Sequence, residues 1–244
     1  MNAPAEAPVV FTAAGFKLGT QRVVPMLIGL FPFGLVAGVT AQAHGLSLAE
    51  ACLMSGLVFA GSSQIVTLGA WTVPASIAAA TLTCFIVNLR FALMGPLLAP
   101  WLDRLHGWKR WGSLAFLVEH TWALALKEID RDNRDAAFFI GAGVLTWITW
   151  VVTTLAGFLL GQAVAPAAGH PLFFAALACF IAMLVPMWRG KQDLVPWAVA
   201  AIVAVGVSRE MPGTSWHIVA GAVAGGVAGY LRDRRTRKTA ERSQ

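Results

Sequence analysis

The sequence predicts an all-α polytopic membrane protein, and three observations carry that prediction. Of 244 residues, 57% are hydrophobic and only 12% charged, about half the charged fraction of a soluble domain. Uncharged runs recur at 23–43, 51–89, 136–161, 171–188, 194–208 and 211–231, against the roughly 20 mainly apolar residues that a span needs. Segments of about 10 residues with alternating polarity, the mark of a membrane barrel, are not visible. The expectation is about 6 to 8 membrane segments, one or two of them broken or re-entrant. A cytoplasmic N-terminal segment (1–22), a single transmembrane helical domain (23–231) and a basic cytoplasmic tail (232–244) divide the chain.

Each element has its own reason. The opening "MNAPAEAPVVFTAAGFKLGTQR" carries Glu6 and lacks a basic start followed by a short apolar core, so it is a poor signal peptide. In the first run, "GLFPFGLVAG" loosens the helix at Pro32 and offers small faces at Gly34 and Gly38, a helix-packing spacing. The second run is interrupted by "AGSSQ" at 60–64, a Gly, two hydroxyls and a carboxamide where the flanks are apolar. In "TLTCFIVNLRFALMGP" (81–96), Thr81, Cys84 and Asn88 form a polar stripe, while Arg90 lies about 200° from Asn88 around a helix.

"WLDRLHGWKRW" (101–111) places Trp101, Leu105 and Trp108 at helical spacing with basic residues between them, which predicts a helix lying in the interface. Glu119 and His120 open a short apolar segment, 114–126, and the loop "KEIDRDNRD" follows it. Thr146, Thr149 and Thr153 stripe the span 136–161, where helix contact is the favoured reading. Cys52, Cys84 and Cys179 lie in apolar runs without metal-ligand spacing and read as small hydrophobes, so neither a metal nor a cofactor is expected.

Charge sets a topology. Residues 231–244 hold six Lys/Arg against two Asp/Glu, which marks the C-terminus as cytoplasmic and attracts anionic lipid rather than nucleic acid. Lys17 and Arg22 put the N-terminus on the same side, and so should Arg104, Lys109 and Arg110. Counting 23–43, 47–73 and 74–98 as three crossings puts that last loop on the wrong side. If both 47–73 and 114–126 enter and turn back, every basic loop becomes cytoplasmic; if both cross, the protein has about eight spans and one loop breaks the rule. The charge count favours broken or partial helices.

Non-helical backbone inside hydrocarbon is tolerated only where it is buried in protein or lines a wet cavity. Broken helices of transporters use their freed backbone groups to bind substrate. Gly61, Ser62, Ser63 and Gln64, with Asn88, are the candidate substrate-binding residues; close helix packing around Gln64 is the alternative. Arg90, Glu119 and His120 are candidates for coupling or for structural charge, Glu119 being the natural partner of Arg90.

"FPFGLVAG", "LMSGLVFAGSSQ" and "NLRFALMGPLLAP", in that order, resemble the AzlC-type large subunit of branched-chain amino-acid exporters, the azaleucine-resistance family. The resemblance implies a multi-pass bacterial inner-membrane protein that exports valine, leucine and isoleucine with a small AzlD-type partner. Gly61, Ser62, Ser63 and Gln64 fit the pattern that family usually has there. Where that family often has His, this chain has Phe91, and where it often has an Asp-Glu pair, this chain has Glu119 and His120.

Two other function classes were weighed. An intramembrane serine protease could use Ser63 with His120 or His217 as base. The permease of an ATP-driven transporter would need a separate ATPase, because the chain has no Gly-x-x-x-x-Gly-Lys-Ser/Thr loop. Secondary export, without enzymatic activity, is the leading reading.

Overall fold

The structure, a computed structural model, describes residues 8–69, 71, 76–164, 181, 188, 190–212 and 216–242, with side chains described through 234. Most of the run 171–188, with Cys179, lies outside the described residues. The chain forms two compact units, residues 1–68 with 90–179, and residues 69–89 with 180–244. Among the described residues four helices are long and apolar enough to cross a membrane: Ala13–Ala43, Ile77–Leu102, Ala137–Ala163 and Lys191–Glu210.

Unit one is built on α1 (Ala13–Ala43) and α8 (Ala137–Val164). Helix α1 starts well ahead of its apolar run because Thr12 caps it, its hydroxyl accepting from Gly15 N–H at 3.1 Å. Pro25 and Pro32 are accommodated within it without ending the helix. The two helices run parallel: Gly19 lies against Phe138, Gly34 against Thr153 and Gly38 against Thr154 and Phe158. From the other side, Gly141 lies against the backbone of Phe16 and Gly157 against that of Leu35. Lipid gives helices no hydrophobic reason to associate, so the contact depends on backbones coming close, which only such small residues permit. The stripe Thr146, Thr149 and Thr153 donates to carbonyls four residues back at 2.8, 2.9 and 2.8 Å, in keeping with a helix-contact role.

The N-terminal ends of α1 and α8 share a cap. Val10 N–H donates to Arg134 O at 2.9 Å and Ala136 N–H to Val10 O at 3.0 Å. A core of Leu98, Trp101, Leu102, Leu105, Leu117, Ala125, Phe138 and Phe139 gathers there. Helix α4 (Ile77–Met94), prolonged by a 3-10 turn and α5 (Ala99–Leu102), leads into this core at Leu98. The region 101–111 is not one interfacial helix as the spacing predicts. Helix α5 ends at Leu102, and Gly107, at φ 58, is the N-cap from which α6 (Trp108–Leu114) starts anew. Trp101 and Leu105 are buried in the core while Trp108 is 68% exposed.

Two hairpins fill the space beside α1 and α8. The first is α2 (Leu48–Val58) and α3 (Gly61–Gly69); the second is α6 and α7 (Glu119–Asp130). Side chains of Ser55 and Gln64, nine residues apart, hydrogen-bond at 2.9 Å. A straight helix would hold their Cα atoms about 13.5 Å apart, too far for that bond, so the run is broken at Phe59–Ala60. The second hairpin starts where Trp108 meets Phe11 (ring centroids 5.8 Å apart). It ends at Asn133, whose carbonyl accepts from Trp101 at 2.8 Å, and both lie at the capped end. Of the two segments that charge counting singled out, 114–126 thus turns back, and 47–73 is broken at Phe59–Ala60.

In unit two, α9 (Leu194–Glu210) and α10 (Trp216–Arg242) pack antiparallel, with Gly221 and Gly225 against Ala200. Arg232 donates to the Gln192 carbonyl, so the basic tail and Lys191 share an end. Ile77 and Phe85 on α4 and Ile202 on α9 are 81%, 62% and 71% exposed, as lipid-facing side chains are.

Replacing Gly38 with Leu should weaken the α1–α8 contact by about 1–3 kcal/mol and lower the thermal unfolding midpoint in detergent. The same change at Gly29, where nothing lies within 4 Å, should leave it in place.

Candidate functional site

The interruption in α2–α3 is defined by two residues. Phe59 ends α2 in the left-handed conformation, φ 45 and ψ 42, a strained choice for a bulky side chain. Gly61 then begins α3 against an aromatic pair, Phe33 and Trp150, whose rings lie 5.4 Å apart. A Cβ at Gly61 would sit 2.5 Å from Trp150 and 2.6 Å from Phe33, so no larger residue fits without moving them.

The polar groups around the break are sorted into satisfied and unsatisfied. Gln64 is 3% exposed; its Nε2 donates to Ser55 Oγ and its Oε1 accepts from Trp150 Nε1, both at 2.9 Å. One carboxamide thereby ties α2, α3 and α8 together. Trp147 Nε1 donates to the Gly56 carbonyl at 2.9 Å, taking up one of the acceptors freed at the end of α2. Ser63 is fully buried. By contrast the hydroxyls of Ser62 and, on the same half-helix, Thr67 are buried without a hydrogen-bond partner. Orphaned buried hydroxyls are uncommon in a folded protein, and the first N–H groups of α3 have no acceptor within their own helix either.

The tip of the second hairpin meets the first: Phe59 and Phe116 pack edge to face with centroids 6.4 Å apart. Gly143 on α8 admits Phe116, which a Cβ there would displace. The turn is held by Thr121, fully buried, which accepts from Val118 N–H at 3.2 Å and lies 2.9 Å from the carbonyls of Phe116 and Val118. Just beyond it, Glu119 accepts from Arg90 at 2.8 Å, joining α7 to α4. Phe91 lies under the same guanidinium at 5.0 Å. The Nε2 of His120 is buried without a partner.

Of the sequence-predicted site residues, the structure brings Gly61, Ser62, Ser63 and Gln64 onto the first turn of α3, and pairs Arg90 with Glu119 beside His120. Asn88 belongs to the second unit, where its Nδ2 contacts Cys84 Sγ at 3.6 Å and its Oδ1 has no partner. Helix α4 is unbroken, so Asn88 and Arg90 lie on different faces. Sequence reasoning missed Ser55, Trp150, Thr67, Thr121 and Phe59. Only the polarity of Ser55 and Thr67 inside an uncharged run could have signalled them; the left-handed Phe59 left no trace. Among the described residues no cluster of His, Cys, Asp or Glu could hold a metal.

Long apolar helices with short, interrupted helices packed beside them define a polytopic membrane protein. The chain belongs to the AzlC protein family, whose description matches residues 25–164. It is 28% identical over 239 residues to the "Inner membrane protein YgaZ" of Escherichia coli K12, covering 95% of this chain and 94% of that one. An uncharacterized membrane protein of Archaeoglobus fulgidus is 26% identical over 87% of this chain and 93% of its own. A further uncharacterized membrane protein, from Haemophilus influenzae, is 25% identical over 69% of this chain and 70% of its own. No solved structure matches.

Gln64→Ala should strand the Trp150 and Ser55 polar groups and lower stability by about 1–3 kcal/mol. Ser62→Ala, which breaks no bond, should leave the unfolding midpoint within about 0.5 kcal/mol of the parent; thermal unfolding in detergent measures both.

Proposed function

We propose that the chain is the large subunit of a bacterial inner-membrane exporter of branched-chain amino acids, valine, leucine, isoleucine or their analogues. It works with a small AzlD-type membrane subunit and is coupled to protons or to the membrane potential. The observation that carries this reading is the break at Phe59–Gly61, with a partnerless hydroxyl at Ser62.

A zwitterion suits such a break. The positive end of α3 offers N–H groups and the Ser62 hydroxyl to a carboxylate, while the carbonyl end of α2 offers acceptors to an ammonium group. Gly61 and Ser63 shape the turn, Gln64 holds it, and the aromatic surroundings of Phe33, Phe59, Phe116 and Trp150 suit a branched apolar side chain. Asn88 is the contribution proposed from α4. Arg90, Glu119 and His120 are the groups proposed to respond to protons, since an ion pair beside a buried imidazole is where a proton changes the charge balance.

Membership in the AzlC family supports the transport class, and the resemblance in sequence supports the substrates and the partner. The sidedness rests on charge. Lys17, Arg104, Arg134 and the loop between 127 and 135 belong to the capped end of unit one, which the positive-inside rule places in the cytoplasm with both termini. The basic tail, 232–244, is proposed to meet anionic lipid there.

Cells lacking other exporters and carrying this chain with its small subunit should resist a toxic valine analogue. Ser62→Ala should weaken that resistance about tenfold without loss of protein from the membrane, and a protonophore should abolish it while ATP depletion at constant potential should not. Unchanged resistance in Ser62→Ala would remove the break from the transport path.

A further inference from the structure

At the capped end of unit one lies an open cavity of about 320 Å3, lined by Trp101, Arg104, Ile129, Asp132 and Arg134 among others. We propose that it binds the phosphate of an anionic phospholipid headgroup, at a site separate from both the hairpin break and the basic tail.

The guanidinium of Arg134 is half used. Its terminal nitrogen meets Asp132 Oδ1 at 2.5 Å, while its Nε is buried without any hydrogen-bond partner. A phosphate oxygen is the acceptor that such an edge fits, because charge-assisted bonds from a guanidinium to phosphate are strong and shaped by its planar fork. Arg104 adds a second cation to the lining beside Arg134.

Depth selects lipid over solute. The cavity is at the end of the long helices, where Trp101 spans the wall by donating to the Asn133 carbonyl at 2.8 Å. On the neighbouring α6, Trp108 and Trp111 are 68% and 69% exposed, as tryptophans are where hydrocarbon gives way to headgroups. Basic pockets at that level recognise lipid phosphates. Trp101 and Ile129 supply an apolar wall that the glycerol and ester region of a lipid would cover and that inorganic phosphate would leave bare.

The test uses the full chain purified in detergent and follows its thermal unfolding against three additives: short-chain phosphatidylglycerol, phosphatidylcholine of the same chain length, and inorganic phosphate. Phosphatidylglycerol should raise the midpoint in a saturable way, and the other two should not. The double variant Arg104→Gln/Arg134→Gln should need about tenfold more phosphatidylglycerol for each charge-assisted bond lost, while Lys109→Gln/Arg110→Gln should respond as the parent does. Should the double variant fail to fold, the exposed Arg104→Gln alone carries the test with the same expected direction. An equal response to phosphatidylcholine or to inorganic phosphate, or an undiminished response in the Arg104 variants, would overturn the proposal.

Discussion

A helix that stops inside hydrocarbon must find partners for the polar groups it releases, and this requirement shapes most of unit one. Around the break at Phe59 the partners are side chains: Trp147 serves the Gly56 carbonyl, and Gln64 is held between Ser55 and Trp150. At the other hairpin tip Thr121 serves the turn at Phe116–Val118. Among the buried side chains on α3, these partners leave over the hydroxyls of Ser62 and Thr67.

Those partners are useful only on a rigid support, and the parallel pair α1 and α8 supplies it. Glycines on both helices allow backbones to touch, so Phe33 and Trp150 stand at fixed places against Gly61. The direction of the pair also has a topological consequence. The basic residues at 17, 104, 109, 110, 131 and 134 belong to the capped side of the unit, where Lys109 lies over Phe11 and Trp101 bonds the Asn133 carbonyl, so that one charge rule serves them all.

Much of this was legible. The Gly34 and Gly38 spacing marks the face that meets α8, Arg90 finds Glu119, and the charge count points to the two segments that are broken into short helices. The polar pentapeptide at 60–64 marks the break because such residues interrupt an otherwise apolar run. What was not legible depends on contacts far apart in sequence. Trp150 reads as one more apolar residue until Gln64 is beside it, and the spacing of Trp101, Leu105 and Trp108 suggests one helix although the chain leaves the helix after Leu102 and buries Leu105 in the core. The strained Phe59 has no local signal, since bulky residues avoid that conformation unless surroundings impose it.

The central claim is that the break at Phe59–Gly61 contacts the transported amino acid, and site-directed thiol chemistry addresses it most directly. In a chain whose Cys52, Cys84 and Cys179 are changed to Ala, Ser62→Cys would be treated with a small hydrophilic methanethiosulfonate in membrane vesicles. The rate of modification would be compared with and without leucine. The account predicts modification that leucine slows and glycine does not. A thiol modified at the same rate with and without leucine, or one never reached, would contradict it.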